Sequence, residues 1–183
     1  MIDLRKAMLP QAVKVGGSFF RIHTDFKYVL RFRDLLKDKA TPIKAFDFMY
    51  IAEIPPSRLD GVRAICDFMN PPQELPRRTG DEPGDIVLDY DIDSGYIYAA
   101  FMEQYKIDII ETPLHWYKFT ALLHGLHDTE LNRIINSRLW KPTGKETEYE
   151  KNRRKQYEAW RLPQPEDNEP DEALDSFLSQ IKG

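Results

Sequence analysis

Proline sets the first limit on what this chain can become. Thirteen prolines stand in 183 residues, against nine glycines. A proline inside a helix removes a backbone donor and clashes with the preceding turn. Helices must therefore fit between Pro42, the Pro55-Pro56 pair, Pro71, Pro113, Pro142 and Pro163. Short helices joined by stiff connectors are expected, and at 42% hydrophobic and 31% charged the chain has the balance of a folded globular protein.

One segment reads differently. From Ala12 to Ile22, alternating apolar residues flank Gly16-Gly17, a pair able to take the positive φ angles of a tight hairpin turn. A two-stranded hairpin is only marginally stable alone, so it must pack on something. Thr24 and Asp25 then offer capping oxygens for a helix carrying Phe26, Val29, Leu30, Arg33 and Leu36 and ending near Lys39. A second helix is expected from Thr41-Pro42 to about Glu53, burying Ile43, Phe46, Phe48, Met49 and Ile51. Ser57 caps a third, Arg58 to Asn70, with Leu59, Val62, Ile65, Cys66 and Met69 inward. Residues 71–84 are rich in Pro, Arg, Asp and Gly and read as a surface loop.

Acidic residues from Asp89 to Asp93 then lead into Tyr96–Tyr105, where Ile97, Tyr98, Phe101, Met102 and Tyr105 share a helical stripe. After a turn at Lys106, Thr112 and Pro113 open a helix carrying Leu114, Trp116, Tyr117, Phe119, Leu122 and Leu123, closed by Gly125. Of its aromatics and those of the preceding helix, Tyr98, Phe101, Trp116 and Phe119 are expected in the core. Asp128 starts a helix through Leu131, Ile134 and Ile135, and residues 145–161 form a charged one. The fold class is mainly α: one bundle-like helical domain over residues 1–162 with an N-terminal hairpin. Residues 163–172 are an acidic, proline-rich linker. Residues 173–183 carry Leu174, Phe177, Leu178 and Ile181 at i, i+3, i+4 and i+7, a tethered amphipathic docking helix.

Bulk properties remove several function classes. A net charge of −4 gives no reason to expect nucleic acid or anionic lipid as a partner. Lys151, Arg153, Arg154 and Lys155 are surrounded by Glu146, Glu148, Glu150 and Glu158, a mixture that usually makes a solvated helix face. Cys66 is the only cysteine, which excludes an intramolecular disulfide and fits a reducing compartment. No apolar run approaches the roughly 18 residues of a membrane span, and no apolar stretch follows the N-terminal cations as in a secretory signal.

Chemistry-bearing patterns are weak. Asp89, Asp91 and Asp93 begin like a calcium loop, but its sixth and twelfth places hold Ser94 and Ala100 where glycine and a bidentate glutamate are required. Helix capping accounts for these aspartates better. His124 and His127 lie three apart, a spacing that can put two imidazoles on one helix face, but Gly125 between them ends the helix and no glutamate follows in a zinc-protease pattern. Nucleophile elbows, phosphate-cradling loops and dinucleotide fingerprints are absent from the sequence. No catalytic residue, cofactor or metal is assigned, and the expectation is a non-enzymatic protein.

The run Asp89-Tyr90-Asp91-Ile92-Asp93, Tyr96–Tyr105 and Ile107-Asp108, followed by Leu114–Phe119 and Leu122–Leu126, resembles the bacteriophage gene-product-fifteen family. The opening Phe20–Phe26 is similar too. The resemblance spans about residues 10–160 and is most specific over 89–126. It implies tail morphogenesis: an assembly chaperone in the host bacterial cytoplasm that binds the tape-measure protein and other tail proteins and is left out of the finished virion. The alternatives are a structural tail or connector component and a regulatory or nucleic-acid-binding module. The residues expected to meet a partner, or a second copy in a homo-oligomer, are Leu174, Phe177, Leu178 and Ile181. Exposed members of Tyr96, Tyr105, His115 and Tyr117 come second.

Overall fold

The structure, a computed structural model, describes residues 5–6, 8–70, 87–141, 144 and 147–163. The expected loop at 71–84, nearly all of the 163–172 linker and the helix bearing Leu174, Phe177, Leu178 and Ile181 lie outside the described residues. Within them the chain is mainly helical with one small antiparallel hairpin, as the patterning predicts. They fall into two compact units, one built from residues up to 70 with 113–121, the other from 87–112 with 122–163. No helix among the described residues is long and apolar enough to cross a membrane.

The first unit opens with the hairpin of β1 (Ala12–Val15) and β2 (Ser18–Arg21), in register with Val13 opposite Phe20. Gly16 and Gly17 take φ of 56° and 92°, the pair of left-handed residues that a two-residue hairpin turn demands. Val13, Val15 and Phe20 are buried, and β1 packs on α2 (Arg58–Met69), which supplies the support a lone hairpin lacks. Helix α1 (Phe26–Lys37) starts where the capping oxygens placed it, with Lys27 N donating to Asp25 Oδ1 at 2.9 Å, and it buries Phe26, Val29 and Phe32.

Two elements differ from expectation. The helix expected over residues 41–53 is a shorter 3-10 segment, Ile43–Met49, that buries Phe46 and Met49 and leaves Ile51 exposed. The chain beyond it is drawn into extended pairing with the end of β2: Ile51 N donates to Arg21 O, His23 N donates to Met49 O, and Ile22 pairs with Tyr50. Helix α4 (Trp116–His124) begins later than Thr112-Pro113 for the same kind of reason. Phe26 N donates to Leu114 O and Trp116 N to Thr24 O, so residues around His115 are held extended against Asp25 and cannot yet turn helical.

In the second unit α3 (Ser94–Tyr105) stops at Lys106, which sits in the left-handed region at φ 56°. Helix α5 (Glu130–Arg138) is capped by Thr129, not by Asp128. Thr129 Oγ1 accepts from Asn132 N while the Asn132 side chain accepts from Thr129 N, a reciprocal capping box. Asp128 supplies the left-handed turn before it, at φ 57°. Helix α6 (Glu148–Trp160) starts from Thr147 and packs on α5. The boundary between the units at residues 121 and 122 falls inside α4.

Candidate interaction surfaces

The aromatic motifs turn out to close helix ends. The last carbonyls of any helix have no partner inside it. At the end of α2 two of these are taken from α4: the Trp116 indole donates to Met69 O and the Tyr117 hydroxyl to Phe68 O, both at 2.9 Å and both buried. The end of α4 is treated likewise by α3. Tyr105 Oη donates to Leu122 O at 2.9 Å, and the Gln104 amide bonds Gly125 O and His127 N together. Phe101, Trp116 and Phe119 are buried as expected, with Phe119 stacked on Phe26 at 4.2 Å. Tyr98 is only half-buried, its hydroxyl 3.4 Å from Asp108. The Asp108 carboxylate pushes that phenol's pKa up.

A buried ion pair organises the second unit. Arg138 NH1 and NH2 meet the two Asp93 oxygens at 2.6 and 2.8 Å, with side-chain exposures of 4% and 1%. The same guanidinium donates to Trp160 O at 2.7 Å and Val87 O at 3.0 Å. One side chain thereby ties α5 to the start of α3, to the end of α6 and to the chain entering the unit. Asp93 was expected to cap α3. It makes no side-chain cap there and instead accepts from Asp89 N and Arg138. Asp89 is the residue that folds the lead-in, accepting from Asp91 N and Ile92 N. Arg138 escapes a motif search because it carries no motif. The available signal was its place at i+7 from Leu131 and i+4 from Ile134, a cation on an otherwise apolar stripe.

The residues expected to meet partners divide sharply. Tyr117 is buried and hydrogen-bonded, which removes it from the exposed set, and Tyr105 is half-buried and committed to Leu122. Tyr96 is half-buried, edge-on to Trp160 at 5.8 Å. The large apolar side chains left outside are others: Phe19 on the outward face of the hairpin at 74% exposure, Ile110, Tyr149, Ile92 and Leu139. Phe19 stands opposite Lys14 in the hairpin register, so the period-two pattern that buries Phe20 also turns Phe19 to solvent.

The rings of His115 and His127 are bound into backbone contacts. His127 Nδ1 lies 3.1 Å from the Gln104 amide, at the edge of a hollow of about 310 Å³ whose Asn132 already serves the capping box. Among the described residues no three metal-ligating side chains stand together. His115 has both nitrogens in use: Nδ1 accepts from Tyr117 N at 3.1 Å, leaving Nε2–H to donate to Pro10 O at 2.9 Å. This ring caps α4 in its neutral form. Burial pulls its pKa below the ordinary imidazole value, with Lys118 adding to the effect and the Pro10 bond opposing it. An imidazole with a lowered folded pKa lets the unfolded chain take the proton first. Its stabilisation is therefore complete above the ordinary value of about 6.5 and lost as pH falls through the folded pKa. His115→Asn keeps a capping acceptor that does not titrate. Urea unfolding at about pH 7.5 and about pH 5.5 should show the wild type losing more stability than this variant. Equal losses would rule the role out.

The sequence model of a family described as Bacteriophage Gp15 protein matches residues 6–162. No curated protein and no solved structure matches the chain.

Proposed function

Because this chain belongs to the Bacteriophage Gp15 protein family, we propose that this phage protein is a non-enzymatic tail-assembly chaperone that binds the tape-measure protein during tail morphogenesis. The observation that carries the reading is the family match, which runs through all the described helices and ends at residue 162. Two physical features support it. Apolar side chains are exposed on separate elements, at Phe19, Ile110, Leu139 and Tyr149. Beyond the match, Leu174, Phe177, Leu178 and Ile181 have the spacing with which an amphipathic helix fills a groove. Several modest contacts along a long helical partner give high avidity while each remains displaceable, as a factor that must leave before maturation requires.

Co-expression with the tape-measure protein of the same phage, followed by size exclusion with light scattering, tests the reading. The expected result is a soluble complex with several copies of this chain per tape measure. A tape measure that precipitates while this chain elutes alone sinks it. Detection of the chain in purified virions by mass spectrometry would then assign it as a structural component.

A further inference from the structure

The hairpin register fixes which side chains share its outer face. Ile22 N donates to Gln11 O, so bonded and unbonded pairs alternate from there, and Lys14 opposite Phe19 is an unbonded pair. Side chains in such pairs stand closest, about 5 Å apart at Cβ. Arg21, two residues along from Phe19, points the same way. Ala12 stands opposite Arg21 on one side and Ile51 on the other, because Ile22 pairs with Tyr50 and Ile51 N donates to Arg21 O. The chain then bends at Ile51 and Ala52, before Glu53 can join the ladder. One face therefore gathers Ala12, Lys14, Phe19, Arg21 and Ile51, with two cations and no carboxylate. Phe19 is 74% and Ile51 45% exposed, and both cations are exposed beside them. The hairpin's own packing uses the other face, through Val13, Val15 and Phe20. Among the described residues neither Lys14 nor Arg21 forms an ion pair, unlike Arg58 with Asp47, Arg63 with Asp60 and Arg133 with Glu130.

We propose that this outer face of the hairpin is a docking surface for an acidic amphipathic segment of a partner protein. Phe19 and Ile51 meet the segment's apolar side chains, and Lys14 and Arg21 pair with its carboxylates. Taking the tape-measure protein as the owner of that segment rests on the function proposed above; the chemistry of the segment rests on the face alone. Charge selects this occupant. A second copy docked face to face across a two-fold axis would set Lys14 and Arg21 against their own images, and like charges in contact repel. Nucleic acid calls for a basic stripe, which two cations on a chain of net charge −4 do not make. Aromatic and arginine side chains are the ones enriched at protein interfaces, where a ring supplies apolar area and the flanking charges set orientation and reject cationic segments.

Photocrosslinking reads the occupant directly. Phe19→p-benzoylphenylalanine keeps a ring at an exposed position, so the fold does not depend on the change. The full chain is co-expressed with the tape-measure protein of the same phage and irradiated, and the crosslinked peptides are identified by mass spectrometry. The expected product is a tape-measure segment with apolar residues at i, i+3 or i+4 and i+7, flanked by carboxylates. Lys14→Glu/Arg21→Glu should cut the tape measure recovered with the chain about tenfold. Lys151→Glu/Lys155→Glu makes the same change of net charge on α6 and should leave recovery unchanged. Slow exchange at the Ile22 and His23 amides confirms that the hairpin stays folded in each variant. Crosslinks to a second copy, to other residues of the same chain or to nucleic acid assign the face to that occupant and overturn the proposal. A tape-measure complex that gives no crosslink from position 19, or that survives Lys14→Glu/Arg21→Glu, overturns it too and leaves the proposed function standing. A wild-type chain that binds no tape measure sinks both.

Discussion

Replacing Arg138 by methionine is expected to cost about 3–5 kcal/mol of stability, a large share of the roughly 5–15 kcal/mol that holds a folded domain together. Methionine keeps most of the stem's volume, so the loss is electrostatic. It strands the Asp93 carboxylate, whose side chain is 1% exposed, and leaves the carbonyls of Trp160 and Val87 without their donor. A buried pair of this kind need not be net stabilising compared with a well-packed apolar pair, but removing one partner leaves a buried charge that nothing compensates. Replacing both Asp93 and Arg138 by apolar residues should therefore recover only part of the loss, because Asp89 N would still lack its acceptor and the two carbonyls their donor. Arg133→Met is the control: its ion pair with Glu130 is solvent-exposed on the same helix and should be worth about 0.5 kcal/mol or less. Urea unfolding followed by circular dichroism reads the difference. Hydrogen exchange should place the loss in α3, α5 and α6. Similar unfolding midpoints for Arg138→Met and Arg133→Met would show that the clamp does not hold the unit.

What the amino-acid order reveals here is local, and what it hides is non-local. Gly16-Gly17, Asp25 before α1 and Ser57 before α2 each act within a few residues, so turn and cap chemistry alone places them. The apolar stripe of α3 is legible only in part: Ile97 and Phe101 are buried, while Met102, on the same stripe, is exposed. Periodicity says which face is apolar but not how wide a neighbour covers it. The shortened second helix and the late start of α4 fail for a shared reason, since extended pairing with residues 21–25 outweighs local helical preference. Tyr105 and Tyr117 looked like partner contacts because aromatic residues at helical spacing suit an interface. Their hydroxyls instead reach the carbonyl ends of other helices, a pairing that requires knowing which helix ends meet. The division into two units, with the chain passing between them at residues 112–113 and again within α4, likewise leaves no mark in composition.

Asp25 joins the legible part to the illegible one, and Asp25→Ala should cost about 2–5 kcal/mol. Its Oδ1 caps α1 through Lys27 N, a role read from sequence and worth about 1–2 kcal/mol. Its Oδ2 accepts from Leu114 N at 2.9 Å, across eighty-nine residues of chain. Losing that acceptor strands a part-buried amide, a further penalty of about 1–3 kcal/mol. The two contributions separate experimentally. Asp25→Ser restores a capping hydroxyl but has no second oxygen for Leu114, so it should recover the cap and leave the remainder of the loss. In that variant, exchange at the Leu114 amide should be fast while the first turn of α1 stays protected. If serine instead restores full stability, the Leu114 bond contributes nothing, and the extended pairing of Phe26 N with Leu114 O and Trp116 N with Thr24 O holds this junction unaided.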